Sequence, residues 1–485
     1  MKCDEKKPDC LRCINTGRKC DGYTPLSTSR GASPIPPQTQ HKVQGPNSTV
    51  SEVADVSRAR DPTGGEGGLI TVQPSITQFD NASQQEAFEF FLSCTRPMSS
   101  FYYGNDFWSQ YVLKLSPYVP AIRYALCSLS ELHRTFQIQH DPNDQADSSE
   151  HRRNSITQYG LAIKHTQTIL AEVSRGRKDR LVEGLILCVL FVCYENLIGH
   201  YKFAQMHLQN GLKILAKELR LNTEGIHSST NGVHIPREVV GVFHRLDLQA
   251  MSFADATAPY PYGQYSEGIN TGPKLPVSDS LYDFTESLTN CFRWIFTIAN
   301  TSEPEPVSKR ELEMATIFLR LWDLHFKRII SSYDEQTKAS VQGNIQILEL
   351  YHSLMVILVA VGIYGDEMLH DHHEDTYRKI VQTGETILKY RQKSKDCYIF
   401  TFEMGIILPL FYTALKCRNP GIRRNAVGLL FSAHHQEGSW ESVAAGQIAE
   451  FVVKIEERWL DPKIGASSIP PNARVRRFSL EYFLR

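Results

Sequence analysis

From about Ser83 to the end of the 485-residue chain, apolar side chains return every three or four positions. Only a helix buries a stripe with that repeat, because a strand sends alternate side chains to opposite faces. Pro120–Phe136 carries Ile122, Ala125, Leu126, Leu129 and Leu132 at this spacing. Tyr201–Leu219 carries Ala204, Leu208, Leu212 and Leu215 on one face. Leu281, Phe284, Leu288, Cys291, Phe292 and Ile295 mark another helix, and Gln84–Cys94 sets Ala87, Phe90 and Phe91 on one stripe. Ser155–Val173 is amphipathic. Leu181–Gly199 is apolar almost all round, as a helix enclosed by core must be. Further helices are expected at 309–332, 343–364, 375–392, 399–417, 422–434 and 441–458, with loops at 140–150, 222–236 and 256–276. No hairpin pattern and no internal repeat is visible. The expectation for about 83–485 is therefore a large all-α, multi-helix domain.

The first 82 residues are of another kind. Residues 24–82 are rich in Ser, Pro, Gly, Thr and Gln, without a sustained apolar period, and read as a flexible linker. They lack heptads, so they offer no dimerising coiled coil. The net charge of the whole chain is −1, so any contact with nucleic acid must come from a local patch. The N-terminus is charged, with no apolar signal core. The longest uncharged apolar stretches, Gly184–Tyr194, Leu350–Gly365 and Gly405–Leu415, fall short of the roughly 20 residues that span a membrane. A soluble intracellular protein without membrane partners is expected. Seven scattered cysteines, Cys94, Cys127, Cys188, Cys193, Cys291, Cys397 and Cys417, read as reduced core thiols.

Residues 1–23 hold the other four cysteines, Cys3, Cys10, Cys13 and Cys20, spaced C-x6-C-x2-C-x6-C. Zinc takes four soft ligands in a tetrahedron, and thiolates close in sequence supply them. The segment has too little apolar mass to fold unaided. One structural zinc ion on these four thiolates is the expectation, with no open position for catalysis.

The segment resembles the fungal binuclear zinc cluster transcription factors, the Zn(II)2Cys6 family. Cys3, the Asp4–Asp9 loop with Pro8, and Cys10 are similar to that family's third cysteine, loop and fourth cysteine. Cys13 and Cys20 match the fifth and sixth, and Gly17, Arg18, Lys19 and Asp21-Gly22-Tyr23 are also similar. The resemblance implies two zinc ions in the complete motif and at most one here. It implies DNA contacts from Lys2, Arg12, Arg18 and Lys19. The family's first Cys-x2-Cys and the basic helix that reads bases in the major groove have no counterpart in this sequence. The six basic residues of the segment, against four acidic ones, make a patch that holds phosphates weakly. Two expectations stay open: a start at the wrong methionine, missing a short upstream exon, or a natural truncation that no longer binds DNA specifically.

The helical part also looks like this family's "fungal-specific transcription factor" domain. The similar stretches are Ala204–Gly211 with Leu212, Ile214 and Leu215, then Phe243–Gln249, and Ile469–Val475. The resemblance implies a nuclear regulator of RNA polymerase II transcription, partnered by promoter DNA and the transcription machinery, with a homodimer as a further possibility. It implies no enzyme. The alternative is a truncated helical regulator that acts through protein partners without sequence-specific DNA binding. A ligand sensor or enzyme on the helical domain would require an apolar pocket with converging polar groups.

Four other features read as structure. His370-Asp-His-His-Glu-Asp375 is taken as a solvated loop in preference to a metal site. His244-Arg245-Leu246-Asp247 looks like the His-Arg-Asp of protein kinases, but no glycine-rich nucleotide loop or Asp-Phe-Gly accompanies it. It reads as helix with a buried Arg–Asp pair. Gly64, Gly65, Gly67 and Gly68 fall in the linker, not between a strand and a helix. Asp279–Phe284 reads as a helix start, with Asp283 favoured by the dipole.

Overall fold

The computed structural model describes residues 79–99, 107–140, 148–223, 234–253, 272–301, 307–362, 365–392, 399–458 and 469–476. The cysteine segment and the linker up to residue 78 lie outside them, as does Cys397, while the last linker residues, 79–82, lead into the first helix. Helix α1 (Ala82–Phe90) starts on an Asn81 cap and runs through a π-turn at Phe91–Thr95 to Ser99. Its buried face is Gln84, Ala87, Phe88 and Phe91, so Phe88 takes the place expected for Phe90. Next come a π-helical turn at Phe107–Val112, α2 (Pro120–His140), α3 (Ser149–Ser174), α4 (Leu181–Leu197), α5 (Tyr201–Thr223) and α6 (Arg237–Ser252). The stripes of α2 and α5 are buried at every position named above, and α4 is enclosed on nearly all sides. Packing of α2 on α3 and α4, and of α4 on α5, makes a first hydrophobic core. Helix α5 approaches α6 closely at Gly211: a Cβ there would lie 2.4 Å from the Phe243 ring. Glycine is the residue that permits this contact.

A second core is built by α7 (Leu281–Thr301), α8 (Lys309–Ser332), α9 (Gln342–Val361), α10 (Glu374–Gln392), α11 (Ile407–Lys416), α12 (Pro420–Ala433) and α13 (Ser442–Glu457). Helix α8 begins at a capping box, in which Ser308 and Glu311 satisfy each other's backbone N–H groups. Helix α7 starts inside Asp279–Phe284 with Asp283 in its first turn, as expected. Helix α9 is long and apolar enough to cross a membrane, by length and composition alone, but two-thirds of it is buried in this core. It ends three residues earlier than expected, at Gly362, whose φ of +81° suits glycine.

Residues 399–417 depart from the single helix expected of them. Ile399–Thr401 forms strand β1, parallel to β2 (His435–Glu437), which pairs antiparallel with β3 (Trp440–Glu441). The run Ile399-Phe-Thr-Phe402 is rich in β-branched and aromatic residues, and a short apolar run can serve strand or helix equally. Pairing with a strand more than thirty residues away decides it. Phe400 and Phe402 pack in the first core, while Met404 and Ile406 pack in the second. The small sheet thus sits where the two cores meet, and the fold remains all-α apart from it.

Candidate functional site

Helix α6 supplies the buried polar seam between the cores. Its Phe243 and Leu246 belong to the first core and Leu248 to the second. The polar residues between them are tied to other elements. Arg245 NH1 donates to Glu286 Oε1 of α7 at 2.8 Å, and NH2 donates to Glu403 Oε1 after β1 at 3.0 Å. Asp247 does not pair with Arg245, as the sequence suggested; Oδ2 accepts from Arg293 Nε of α7 at 2.9 Å. On a helix, residues two apart point away from each other, so each finds a partner on a different neighbour. Burial works against the Arg245 charge, yet Glu403 and Glu286 hold its guanidinium above its ordinary value. Burial raises the Glu403 carboxyl. Burial also lowers His244, beside Glu286.

The same seam holds the turn after β1. Glu437 of β2, 1% exposed, accepts from the backbone N–H of Gly405 and Ile406 at 2.8 Å and of Ile407 at 3.0 Å. It thereby caps α11 from a distant strand. His435 Nε2 lies 2.8 Å from the same carboxylate. Gln249 of α6 donates to the carbonyl of Glu437 at 3.2 Å, and Gln436 donates to the carbonyl of Asn196 at the end of α4 at 2.8 Å. Gly438, at φ +55°, closes the turn so near Gln249 that a Cβ would lie 2.1 Å from its side chain.

A second polar cluster fastens residues 469–476. Arg474 donates to the carbonyls of Ile469 (3.0 Å) and Glu367 (2.8 Å) and makes a two-pronged pair with Asp371 (2.9 and 2.7 Å). Val475 N–H donates to Glu456 Oε1 of α13 at 2.7 Å. Glu456 also accepts from Arg418 at 2.9 Å and Arg423 at 2.8 Å, and Arg418 reaches Glu367 at 3.1 Å. Lys416 pairs with Glu367 as well.

This cluster corrects part of the reading of His370–Asp375 as a solvated loop: Asp371, His372 and Asp375 are exposed, but the stretch is helical and His370 is not solvated. Glu367–His373 is a 3-10 helix, His370 is buried, and its Nδ1 lies 2.8 Å from the Tyr377 hydroxyl. Burial, with Lys416, Arg418, His373 and Arg474 nearby, lowers His370 to about 3. An unfolded histidine takes up its proton near pH 6.5. Below that pH the unfolded chain binds the proton and the folded one does not, so stability falls as pH drops from about 6.5 toward 3. The urea midpoint should therefore be lower at pH 5 than at pH 7, and His370→Gln should shrink that difference. An unchanged difference would place the pH sensitivity in other groups, such as His207, which burial lowers to about 4.

The three stretches of the helical domain singled out from sequence are thus the α5–α6 contact, the α6 seam and the Arg474 clasp. Sequence reasoning missed Glu437, Glu403, Glu367 and Glu456, because each takes its partners from elements far along the chain. Cys3, Cys10, Cys13, Cys20, Lys2, Arg12, Arg18 and Lys19 lie outside the described residues. As a donor set, four closely spaced thiols suit a structural zinc ion. Among the described residues no group of three or more His, Cys, Asp or Glu could hold a metal. Two cavities flank α6, one lined by Asn196, Tyr201 and Gln249, the other by Leu248, Phe292 and Tyr351. Each has about 20 Å³, room for a single water and far below the roughly 300 Å³ of a small-molecule pocket.

The family model described as "Fungal specific transcription factor domain" matches residues 86–433. The aspercryptin biosynthesis cluster-specific transcription regulator atnN of Emericella nidulans is 23% identical, over 98% of this chain and 89% of that protein. Transcription regulator lscL of Purpureocillium lilacinum is 26% identical, over 44% of this chain and 46% of that protein. No solved structure matches.

Proposed function

Because the chain belongs to the fungal specific transcription factor domain family, we propose that it is a nuclear, zinc-dependent, DNA-binding regulator of RNA polymerase II transcription. The observation that carries this reading is the family match over 86–433 behind a C-x6-C-x2-C-x6-C segment. In it, Cys3, Cys10, Cys13 and Cys20 hold one zinc ion, which supplies the fold of residues 1–23 and no chemistry. Lys2 reaches base edges, and Arg12, Arg18 and Lys19 bind DNA phosphates, contacts that weaken with salt. The helical domain adjusts output through the transcription machinery. The role of the Emericella relative as a cluster-specific regulator supports a biosynthetic gene cluster as the target class.

Two experiments test it. Deleting the gene should change transcript levels of a limited gene set; an unchanged transcriptome overturns the proposal. The purified full chain should hold one zinc ion and shift duplexes selected from a random-sequence library. Cys13→Ser should release the zinc and abolish the shift, while the melting transition of the helical domain stays where it was. A transition that falls with the substitution would show that residues 1–23 are not an independent unit. Zinc-loaded protein that binds DNA without base preference, or not at all, would leave a regulator that works through protein partners.

A further inference from the structure

Helix α8 has two apolar faces, and the fold uses one. Ala315, Phe318, Leu319, Trp322, Phe326 and Ile329 are buried in the second core. On the other side Ile317 is 59%, Leu321 44% and Leu324 58% exposed. Their i, i+4, i+7 spacing makes one outward stripe. The segment 272–280 runs along its edge. Gly272 lies beside Met314, and Asp279 lies 2.9 Å from His325 Nε2, so Leu275 (40% exposed) and Val277 (96%) extend the apolar strip. A helix face meant for water carries polar residues. Singly scattered apolar side chains need no explanation, but a contiguous strip on adjoining elements does.

The charge on this arc says what could cover it. Arg310, Arg320 and Arg328 are exposed around the stripe, against two exposed acidic residues, Glu313 and Asp279. Arg328 pairs with Asp279 at 3.8 Å, and both side chains are more than half exposed, so the basic surplus faces solvent. A second copy of the same face would bring arginines against arginines, which like-charge repulsion disfavours. A helix with carboxylates on its flanks would meet all three. A lipid surface fits less well, since the larger apolar face of α8 is already buried and Asp279 lies at the rim.

We propose that α8 and the adjoining segment 272–280 form a docking face for an acidic amphipathic helix of a partner protein. Its apolar residues sit over Ile317, Leu321 and Leu324, and its carboxylates meet Arg310, Arg320 and Arg328. The mode is an amphipathic helix laid on a complementary apolar surface, with charge setting the choice of partner.

The probe is a labelled synthetic helical peptide with leucines at i, i+4 and i+7 and glutamates on both flanks, titrated into the full chain. Its counterpart has lysine in place of each glutamate. Saturable binding of the acidic peptide, weakened by salt, is expected, with the lysine peptide bound at least tenfold more weakly. Leu321→Asp should weaken the acidic peptide tenfold or more. The triple variant R310E/R320E/R328E should reverse the preference, a result that mere damage could not give. All four positions are exposed, so the variants should melt with the parent. Equal binding of both peptides, or binding of neither, overturns the proposal. So does self-association lost in Leu321→Asp, which makes the occupant a second copy, or capture of α8 by anionic vesicles in competition with the peptide.

Discussion

Replacing Glu456 with alanine is expected to cost about 3–5 kcal/mol of folding stability, among the largest losses a single substitution can cause in this protein. Its carboxylate is fully buried between Arg418 and Arg423, themselves 1% and 0% exposed. Burying ions is costly, and their attraction offsets that cost only while each has its partner. Removing Glu456 leaves Arg423 with the more distant Glu457, at 3.5 Å, and returns Arg418 to Glu367 alone. It also strips the acceptor from the Val475 N–H, loosening the residues that Arg474 clasps. Urea titration of the full chain checks this. Glu456→Leu combined with Arg423→Met should recover part of the loss, because apolar residues of similar volume can replace a buried ion pair at little cost. A single-variant loss below about 1 kcal/mol would mean that water enters the cluster and solvates the arginines.

Glu437→Ala should have a comparable effect by a different cause. Three backbone N–H groups, of Gly405, Ile406 and Ile407, point at this one side chain. Each buried donor left without an acceptor costs about 1–3 kcal/mol, and a total near 3–5 kcal/mol is expected once some water enters. Glu437→Gln should fall between the variant and the parent, since its single carbonyl oxygen can serve only part of the set. Hydrogen exchange adds the location: amides of 405–410 should accelerate more in Glu437→Ala than those of α2 and α4. Uniform acceleration would show that the seam is no local device and that the two cores open together.

The helices were legible because their stripes are local. The burial of Ile122, Ala125, Leu126, Leu129 and Leu132, or of Ala204, Leu208, Leu212 and Leu215, needs only a partner surface of any kind. One start signal was legible for the same reason: Asp283 stands in the first turn of α7. The reading failed at Ile399–Thr401, where a run that suits either state is settled by β2. It failed at Arg245 and Asp247, which are neighbours in sequence but face Glu286 and Glu403, and Arg293. His370 looked solvated because its neighbours are polar, yet Arg474, about a hundred residues on, brings a clasp over that turn.

Composition and spacing by themselves determined that the chain from about residue 83 is mainly helical, which faces most of those helices bury, and that residues 1–23 carry a zinc-type donor set. These properties depend on residues a few positions apart, where covalent geometry fixes the separation. Only the tertiary structure decided which charge meets which, where a strand interrupts a helix, and that α8 keeps a second apolar face with arginines around it. Those outcomes depend on which elements pack together. A buried carboxylate such as Glu437 or Glu456 is stable only where distant donors converge on it, and no local pattern records that convergence.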